Sequence, residues 1–274
     1  MKIGHQEFVL GERTYIMGIL NVTPDSFSDG GMFNNIESAI KQAMRMIEDG
    51  ADIIDIGGES TRPGHEIISE EEEIRRTVPV IEALVKATNI PISIDTSKAS
   101  VAEAAVKAGA SLVNDVWGLK KDPYIAKVIA KYEVPCCIMH NRENRDYVNF
   151  LEDMISDLKE SLFIAKSAGI KEENIILDPG IGFAKTVDQN LEAMNRLEAL
   201  KVLGYPLLLG TSRKSMIGLT LNLPVTERVE GTLATTVIGI MKGYDFIRVH
   251  DIKENKRVAM MTDAIVRRGV TKIG

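Results

Sequence analysis

Chemistry is concentrated in a few short segments of this chain. Gly210-Thr211-Ser212-Arg213-Lys214-Ser215 brings small residues, hydroxyls and two cations into one loop. Backbone amides, hydroxyls and cations together can receive a phosphate or another polar head group. A charged loop leading into a helix is as often a plain structural connection, so the motif alone decides nothing. Arg248 and His250 alternate along a β-type run, which puts both on one side and extends such an anion site. Asp95, Asn114 and Asp178 form a second set. An ionised carboxylate accepts two parallel hydrogen bonds and an amide both donates and accepts, which suits a guanidine-like ring edge such as that of a pterin. A metal cage from the same residues is the weaker reading, because clustered histidine and cysteine ligands are absent from the sequence there.

Those groups need a scaffold that brings distant segments together. Strand-like apolar runs occur at 16–20, 53–56, 92–95, 112–116, 136–139, 175–177, 207–209 and 246–249. Between them, Ile36, Ile40, Ala43, Met44 and Ile47 recur at helical spacing, as do Val101, Ala104, Ala105 and Ala108, and Leu151, Met154, Ile155, Leu158 and Leu162. Gly50, Gly109, Gly169, Gly243 and Gly269 follow such stretches, where a left-handed cap favours glycine. Ser69 with Glu72 reads as a capping box, Asp122-Pro123 as a helix start, and Pro79 is expected to kink the helix over 70–86. An opening hairpin is expected over 6–16, turning at Gly11-Glu12. Eight strand–helix repeats in 274 residues, close to the roughly 250 typical of the fold, predict a (β/α)8 TIM barrel with a short N-terminal β-hairpin. It forms a single domain spanning 1–274, as no proline-, glycine- or serine-rich linker divides it. A doubly wound open sheet is the alternative, but no dinucleotide glycine fingerprint opens the first crossover.

In a barrel the C-terminal strand ends carry the chemistry. Here they hold Asn21, Thr23, Asp25, Ser26 and Asp29, then Asp55, Glu59, Ser60, Thr61 and Arg62, then Asp95, Thr96 and Ser97, then Asn114 and Asp115. His140, Asp178, the 211–215 run and Arg248-Val249-His250-Asp251 complete the rim. Any one such residue, Asp55 for example, reads equally well as a helix cap. A full rim of carboxylates instead calls for a ligand with donors. The loops at 29–31 and 57–64 are long and glycine-rich enough to move over a substrate, and Phe27 suits a contact made on closure.

With 45% hydrophobic and 26% charged residues, the composition is that of an ordinary globular protein, without a run long enough to span a membrane or a secretory leader. A cytoplasmic location is expected. A net charge of −6 argues against nucleic acid as partner. Cys136 and Cys137, adjacent in an apolar run, read as small buried hydrophobes, not nucleophiles. His5 and His65 read as surface residues and His140 as a packed strand-end residue.

Seven segments in order resemble the dihydropteroate synthase family: Asn21 to Gly31, Gly57 to Gly64, Ser93-Ile94-Asp95-Thr96, Asn114-Asp115, Asp178 to Phe183, Ser212-Arg213-Lys214-Ser215 and Arg248-Val249-His250-Asp251. Met139 to Asn144 departs from the family's usual pattern of a second methionine and a glycine. The resemblance implies condensation of 6-hydroxymethyl-7,8-dihydropterin diphosphate with p-aminobenzoate, assisted by Mg²⁺, in a homodimer. It implies that Asp95, Asn114, Asp178 and Lys214 hold the pterin. Asn21, Arg248 and His250 would take the diphosphate, with Asn21 also near the metal, while Phe27, Thr61, Arg62, Pro63, Phe183 and Ser215 would form the p-aminobenzoate site. Asp29, Asp95, Lys214 and Arg248 are the catalytic candidates. Loss of diphosphate leaves a cation conjugated with the ring, so a dissociative substitution is expected, with Arg248 and His250 stabilising the leaving group and Asp29 and Asp95 the carbon. Competing readings are a methyltetrahydrofolate methyltransferase using a corrinoid partner, an aldolase-type barrel with a Schiff base on Lys214, and a pterin-binding protein without catalysis.

Overall fold

A computed structural model describes residues 1–23, 32–59 and 68–267, with the backbone alone for 32–35. The chain opens with β1 (Lys2–Ile3) and β2 (Gln6–Glu7), an antiparallel pair. Strand–helix repeats follow: β3 (Tyr15–Asn21), α1 (Met32–Glu48), β4 (Ile53–Gly57), α2 (Glu70–Ala87), β5 (Ile92–Asp95), α3 (Ala99–Lys107), β6 (Leu112–Asp115) and α4 (Ile125–Tyr132). The second half adds β7 (Cys136–Met139), α5 (Phe150–Ala168), β8 (Ile175–Asp178), α6 (Val187–Asn195), β9 (Leu208–Leu209), α7 (Ser215–Leu221), α8 (Val229–Met241), β10 (Phe246–Val249) and α9 (Ile252–Val266).

β3 to β10 pair in parallel in the order β8-β7-β6-β5-β4-β3-β10-β9. A parallel bridge from Leu177 to Leu207 joins β8 to the start of β9 and closes the cylinder, which is the (β/α)8 barrel. Strands buried on both faces read as continuous apolar runs, which is why the sequence marks them so clearly. One set of side chains, including Ile16, Ile54, Ile94, Ile138 and Ile247, packs outward against the helices. The other fills the interior with Met17, Ile53, Leu112, Cys137, Ile176 and Leu208.

The hairpin lies earlier than expected, with its turn at Gly4-His5, where Gly4 takes φ +58°. Gly11 also turns the chain, but Tyr15 is drawn into the barrel beside Phe246, so the segment after Gly11 has no freedom to pair back on residues 6–10. The hairpin stoppers the N-terminal mouth: Ile3 and Phe8 are fully buried, and Phe8 meets Tyr15 edge-on at 4.7 Å and Phe246 at 5.9 Å. Phe8→Ala is therefore expected to destabilise the protein by about 3–5 kcal/mol, measured by urea denaturation, with activity per folded molecule retained because the chemistry sits at the opposite rim.

Helix boundaries bear out most of the sequence signals. Four of the five expected cap glycines take positive φ, and Gly269 lies outside the described residues. Ser69 Oγ accepts from the Glu72 amide at 3.2 Å, but the Glu72 carboxylate turns to Arg75 and Arg76, so only half of that capping box forms. α2 runs through Pro79 as one helix. The reciprocal box, unanticipated from the sequence, joins Thr186 and Gln189 at the start of α6. Both cysteines are fully buried and their thiols are pushed up by burial, as expected of packed, unreactive residues. His5 is exposed and His140 buried, as expected, while His65 lies outside the described residues.

Candidate active site

The two-residue period that points Ile53, Leu112, Ile176 and Phe246 into the barrel carries on to Asp55, Asn114, Asp178 and Arg248 at its C-terminal end. Asp95 joins them from β5, in register with Gly57 and Asn114. Arg248 is long enough to reach past β3. Its Nε donates to Asp55 Oδ2 at 2.6 Å and a terminal nitrogen donates to Asp95 Oδ2 at 2.6 Å. Asn114 Nδ2 donates to the same Asp55 oxygen at 3.1 Å. Asp55 is thus the seat of the guanidinium, not a helix cap. Arg248 lies in β10, but His250 falls one residue beyond it, and the two part company: Arg248 turns to the carboxylates, while His250 Nδ1 lies 2.9 Å from Ser212 Oγ.

Burial pushes Asp95 up to about 7, against the pull of the Arg248 charge and with Asp55 adding to the rise. Asp178 is raised for the same reason, with Lys214 opposing. Arg248 stays charged because the two carboxylates outweigh its desolvation. Even so, Asp55 Oδ1, Asp95 Oδ1 and Ser93 Oγ are buried without a hydrogen-bond partner among the described residues. Buried acceptors of this kind are costly unless a ligand donor meets them.

A second wall rises from β8 and the loop after it. Asp178 Oδ1 accepts from the Gly180 amide at 2.6 Å. Gly180 takes φ +66°, and a Cβ there would sit 1.9 Å from the His140 carbonyl oxygen, so only glycine fits. Lys214, just before α7, donates to the Ile181 carbonyl and lies 4.7 Å from the centre of the Phe183 ring. Burial lowers Lys214 to about 8, with Asp178 opposing and Arg248 assisting. Arg213, in the left-handed region, is held away by Asp251. Ser215 is exposed at the first turn of α7.

Asn21 ends β3 beside the same mouth: a Cβ at Gly57 would lie 3.6 Å from Asn21 Oδ1 and 3.9 Å from Asp95 Oδ2. The structure therefore gathers Asn21, Asp95, Asn114, Asp178, Lys214, Phe183 and Arg248 on one rim, with His250 and Ser215 on the adjoining loop and helix start. Phe27, Asp29, Thr61, Arg62 and Pro63 lie outside the described residues. The foot of the second loop is fixed by Lys98, which bridges Glu59 at 2.5 Å and buried Glu73 at 2.7 Å. Ser93 and Lys98 were not anticipated as site residues, and Asp55 was read equally well as a helix cap. For Ser93 and Asp55 strand alternation turns the side chain inward.

A closed parallel barrel with carboxylate, amide, guanidinium and ammonium groups on one rim belongs to the class that seats a nitrogen-rich ring beside an anion. Comparison with known proteins narrows the class. Residues 17–250 match the pterin binding enzyme family. The chain is 70% identical over 269 residues to the dihydropteroate synthase of Clostridium beijerinckii, covering 98% of this chain and 100% of that one. It is 59% identical over 258 residues to that of Bacillus subtilis, covering 94% and 90%. Among solved structures, the Clostridium difficile dihydropteroate synthase, determined in the presence of pteroic acid, superposes with a TM-score of 0.94 at 57% identity, covering 96% of this chain and 100% of that one. A Xanthomonas albilineans dihydropteroate synthase with 4-aminobenzoic acid gives 0.89 at 41% identity, covering 93% and 94%. The chain belongs to the pterin-binding enzyme family and, within it, to the dihydropteroate synthases, which are transferases.

Proposed function

We propose that the chain condenses 6-hydroxymethyl-7,8-dihydropterin diphosphate with p-aminobenzoate, giving 7,8-dihydropteroate and pyrophosphate. The observation that carries the reading is the buried Asp95 oxygen that has no partner among the described residues, in register with Asn114 and beside the Arg248 guanidinium. In this reading Asp95, Asn114 and Asp178 receive the N–H edge of the pterin, and Lys214 donates to its ring. When ring donors engage Asp95, Arg248 is released toward the diphosphate, alongside His250 and Asn21. Phe183 and Ser215, with Phe27, Thr61, Arg62 and Pro63, hold the arylamine.

The substitution is dissociative. The C–O bond to the diphosphate breaks first, Arg248 and His250 take up the developing charge, and the arylamine nitrogen adds its lone pair to the methylene and then loses a proton. Asp95 and Asp29 favour the positive carbon. Among the described residues no group of three His, Cys, Asp or Glu side chains gathers a metal. Mg²⁺ commonly takes one or two protein oxygens plus substrate phosphates, and Asn21 at the rim fits as such a ligand. Bound there, the ion supplies charge neutralisation for the leaving diphosphate. The reaction is assigned to the cytoplasm. A homodimer is supported by the exposed apolar side chains of Leu219 and Met241 on α7 and α8 and of Met260 and Ile265 on α9.

Pyrophosphate release that requires p-aminobenzoate and matches dihydropteroate formation by mass is the expected result; tight pterin binding without turnover would overturn the reading. Positional isotope exchange within the diphosphate, without net product, tests the dissociative step, and a trapped pterinyl-enzyme adduct would refute it. Asp178→Asn removes charge-assisted hydrogen bonds worth about 1.5–3 kcal/mol each and is expected to weaken pterin binding at least about tenfold, and p-aminobenzoate binding less. Unchanged pterin affinity by calorimetry would remove Asp178 from the pterin site.

A further inference from the structure

One buried cation is unaccounted for by the reaction. Lys185 is 4% exposed, and its ammonium has three acceptors: His140 Nδ1 at 2.9 Å, the Gly180 carbonyl at 2.9 Å and the Phe183 carbonyl at 3.0 Å. On its far side, His140 Nε2 lies 2.9 Å from Asp157 Oδ2. Asp157 is in turn gripped by Arg142, at 2.6 and 3.3 Å. An ammonium has no lone pair to offer, so His140 accepts at Nδ1 and donates from Nε2, and the partners on either side fix its tautomer. Burial holds the imidazole neutral, pushing it down to about 4, and lowers Lys185 to about 7, with Lys214 adding to the fall and Asp178 and Asp157 opposing it.

The far end of this chain of contacts, Arg142, comes from the segment after β7. Its near end closes the turn that carries Phe183. Tyr147, under the Arg142 guanidinium, reinforces the turn by donating its hydroxyl to the Ala184 carbonyl at 3.1 Å. Ile181, whose carbonyl receives Lys214, is anchored separately by its fully buried side chain. Loss of Lys185 therefore bears on Phe183 more than on Lys214.

We propose that Lys185 is a positioning residue for the arylamine half of the site: held through His140 and Asp157, it ties the Gly180 and Phe183 carbonyls into the turn that sets the Phe183 ring beside Lys214. The inference rests on the assignment of Phe183 to the p-aminobenzoate site. Lys185 touches neither substrate. Its effect is on the shape of the pocket wall.

Steady-state kinetics of Lys185→Met, with Phe183→Ala alongside, test this. Lys185→Met is expected to raise the KM for p-aminobenzoate about tenfold, to leave kcat within about threefold, and to leave the calorimetric affinity for the pterin diphosphate within about twofold. Equal losses for both substrates, or an unchanged arylamine KM in a folded variant, overturn the proposal. If Phe183→Ala leaves the arylamine KM unchanged, the placement of the p-aminobenzoate site fails and this inference falls with it. Should Lys185→Met not fold, Asp157→Asn, at a half-buried position, takes its place. An arylamine KM raised about threefold with pterin affinity intact then supports the proposal, and an unchanged KM overturns it.

Discussion

Arg248→Ala is expected to lower kcat/KM for the pterin diphosphate about a thousandfold and to leave the affinity for the free pterin within about tenfold. The loss follows from removing a preorganised cation aimed at charge that develops only as the diphosphate leaves, where one donor is commonly worth a hundredfold to a thousandfold. The same change has a structural cost. Arg248 is the shared partner of Asp55 and Asp95, and its removal leaves two buried carboxylates facing one another. Breaking a buried pair from one side costs about 3–5 kcal/mol, so the urea midpoint should fall with activity. Adding Asp95→Asn to Arg248→Ala should restore part of the stability and none of the turnover. Equal loss of affinity for free pterin and for its diphosphate would show that Arg248 serves the ring and not the leaving group.

Asp95→Asn alone is expected to stabilise the protein at pH 8 while weakening pterin binding at least about tenfold. The carboxyl's pKa is higher in the folded chain than in the unfolded one, so between those values the folded state holds the proton more tightly. Stability from this group is accordingly greatest below about pH 4 and is lost as pH rises toward 7. Asn carries no such penalty, and Arg248 keeps Asp55, so the advantage of the variant grows from pH 5 to pH 8, reaching on the order of 2–4 kcal/mol. Asp115 and Asp178, also raised by burial, act in the same direction and are common to both proteins. Denaturation midpoints at pH 5 and pH 8 decide the matter. A variant less stable than the parent at pH 8 would mean that the Asp95–Arg248 pair is a net stabiliser.

The barrel was legible because its strands are buried on both faces. Runs such as 92–95, 136–139 and 246–249 stand out as apolar blocks, and all three coincide with the observed strands. The rim was legible for a related reason, since the inward period of several strands runs on into a polar residue near the C-terminal end, as at Asp95, Asn114, Asp178 and Arg248. Partnerships across the barrel were not. Arg248 lies 193 residues from Asp55 and 153 from Asp95, and the alternation that turns Asp55 inward does not say which cation it will meet there. Lys185 was passed over because its partner His140 is 45 residues away, in another strand–helix unit. The hairpin was misplaced because two-residue strands carry no period, leaving glycines to mark a turn, and both Gly4 and Gly11 make one. Local physics locates the groups, while their pairing is decided by closure of the barrel.

The sulfur content of the barrel has a practical side. The chain holds two cysteines, and both lie fully buried in β7, one packed outward with the helices and the other within the interior. Thiolates do the work of alkylation and disulfide exchange, and neither of these thiols ionises readily or meets solvent. The folded protein is thus chemically silent toward maleimides and needs no reductant to keep its two thiols reduced. A single cysteine placed on an exposed helix position, such as Glu160 on α5 or Lys166 further along it, would accept a fluorophore without background. The wild-type chain is therefore a ready parent for single-site spectroscopic probes.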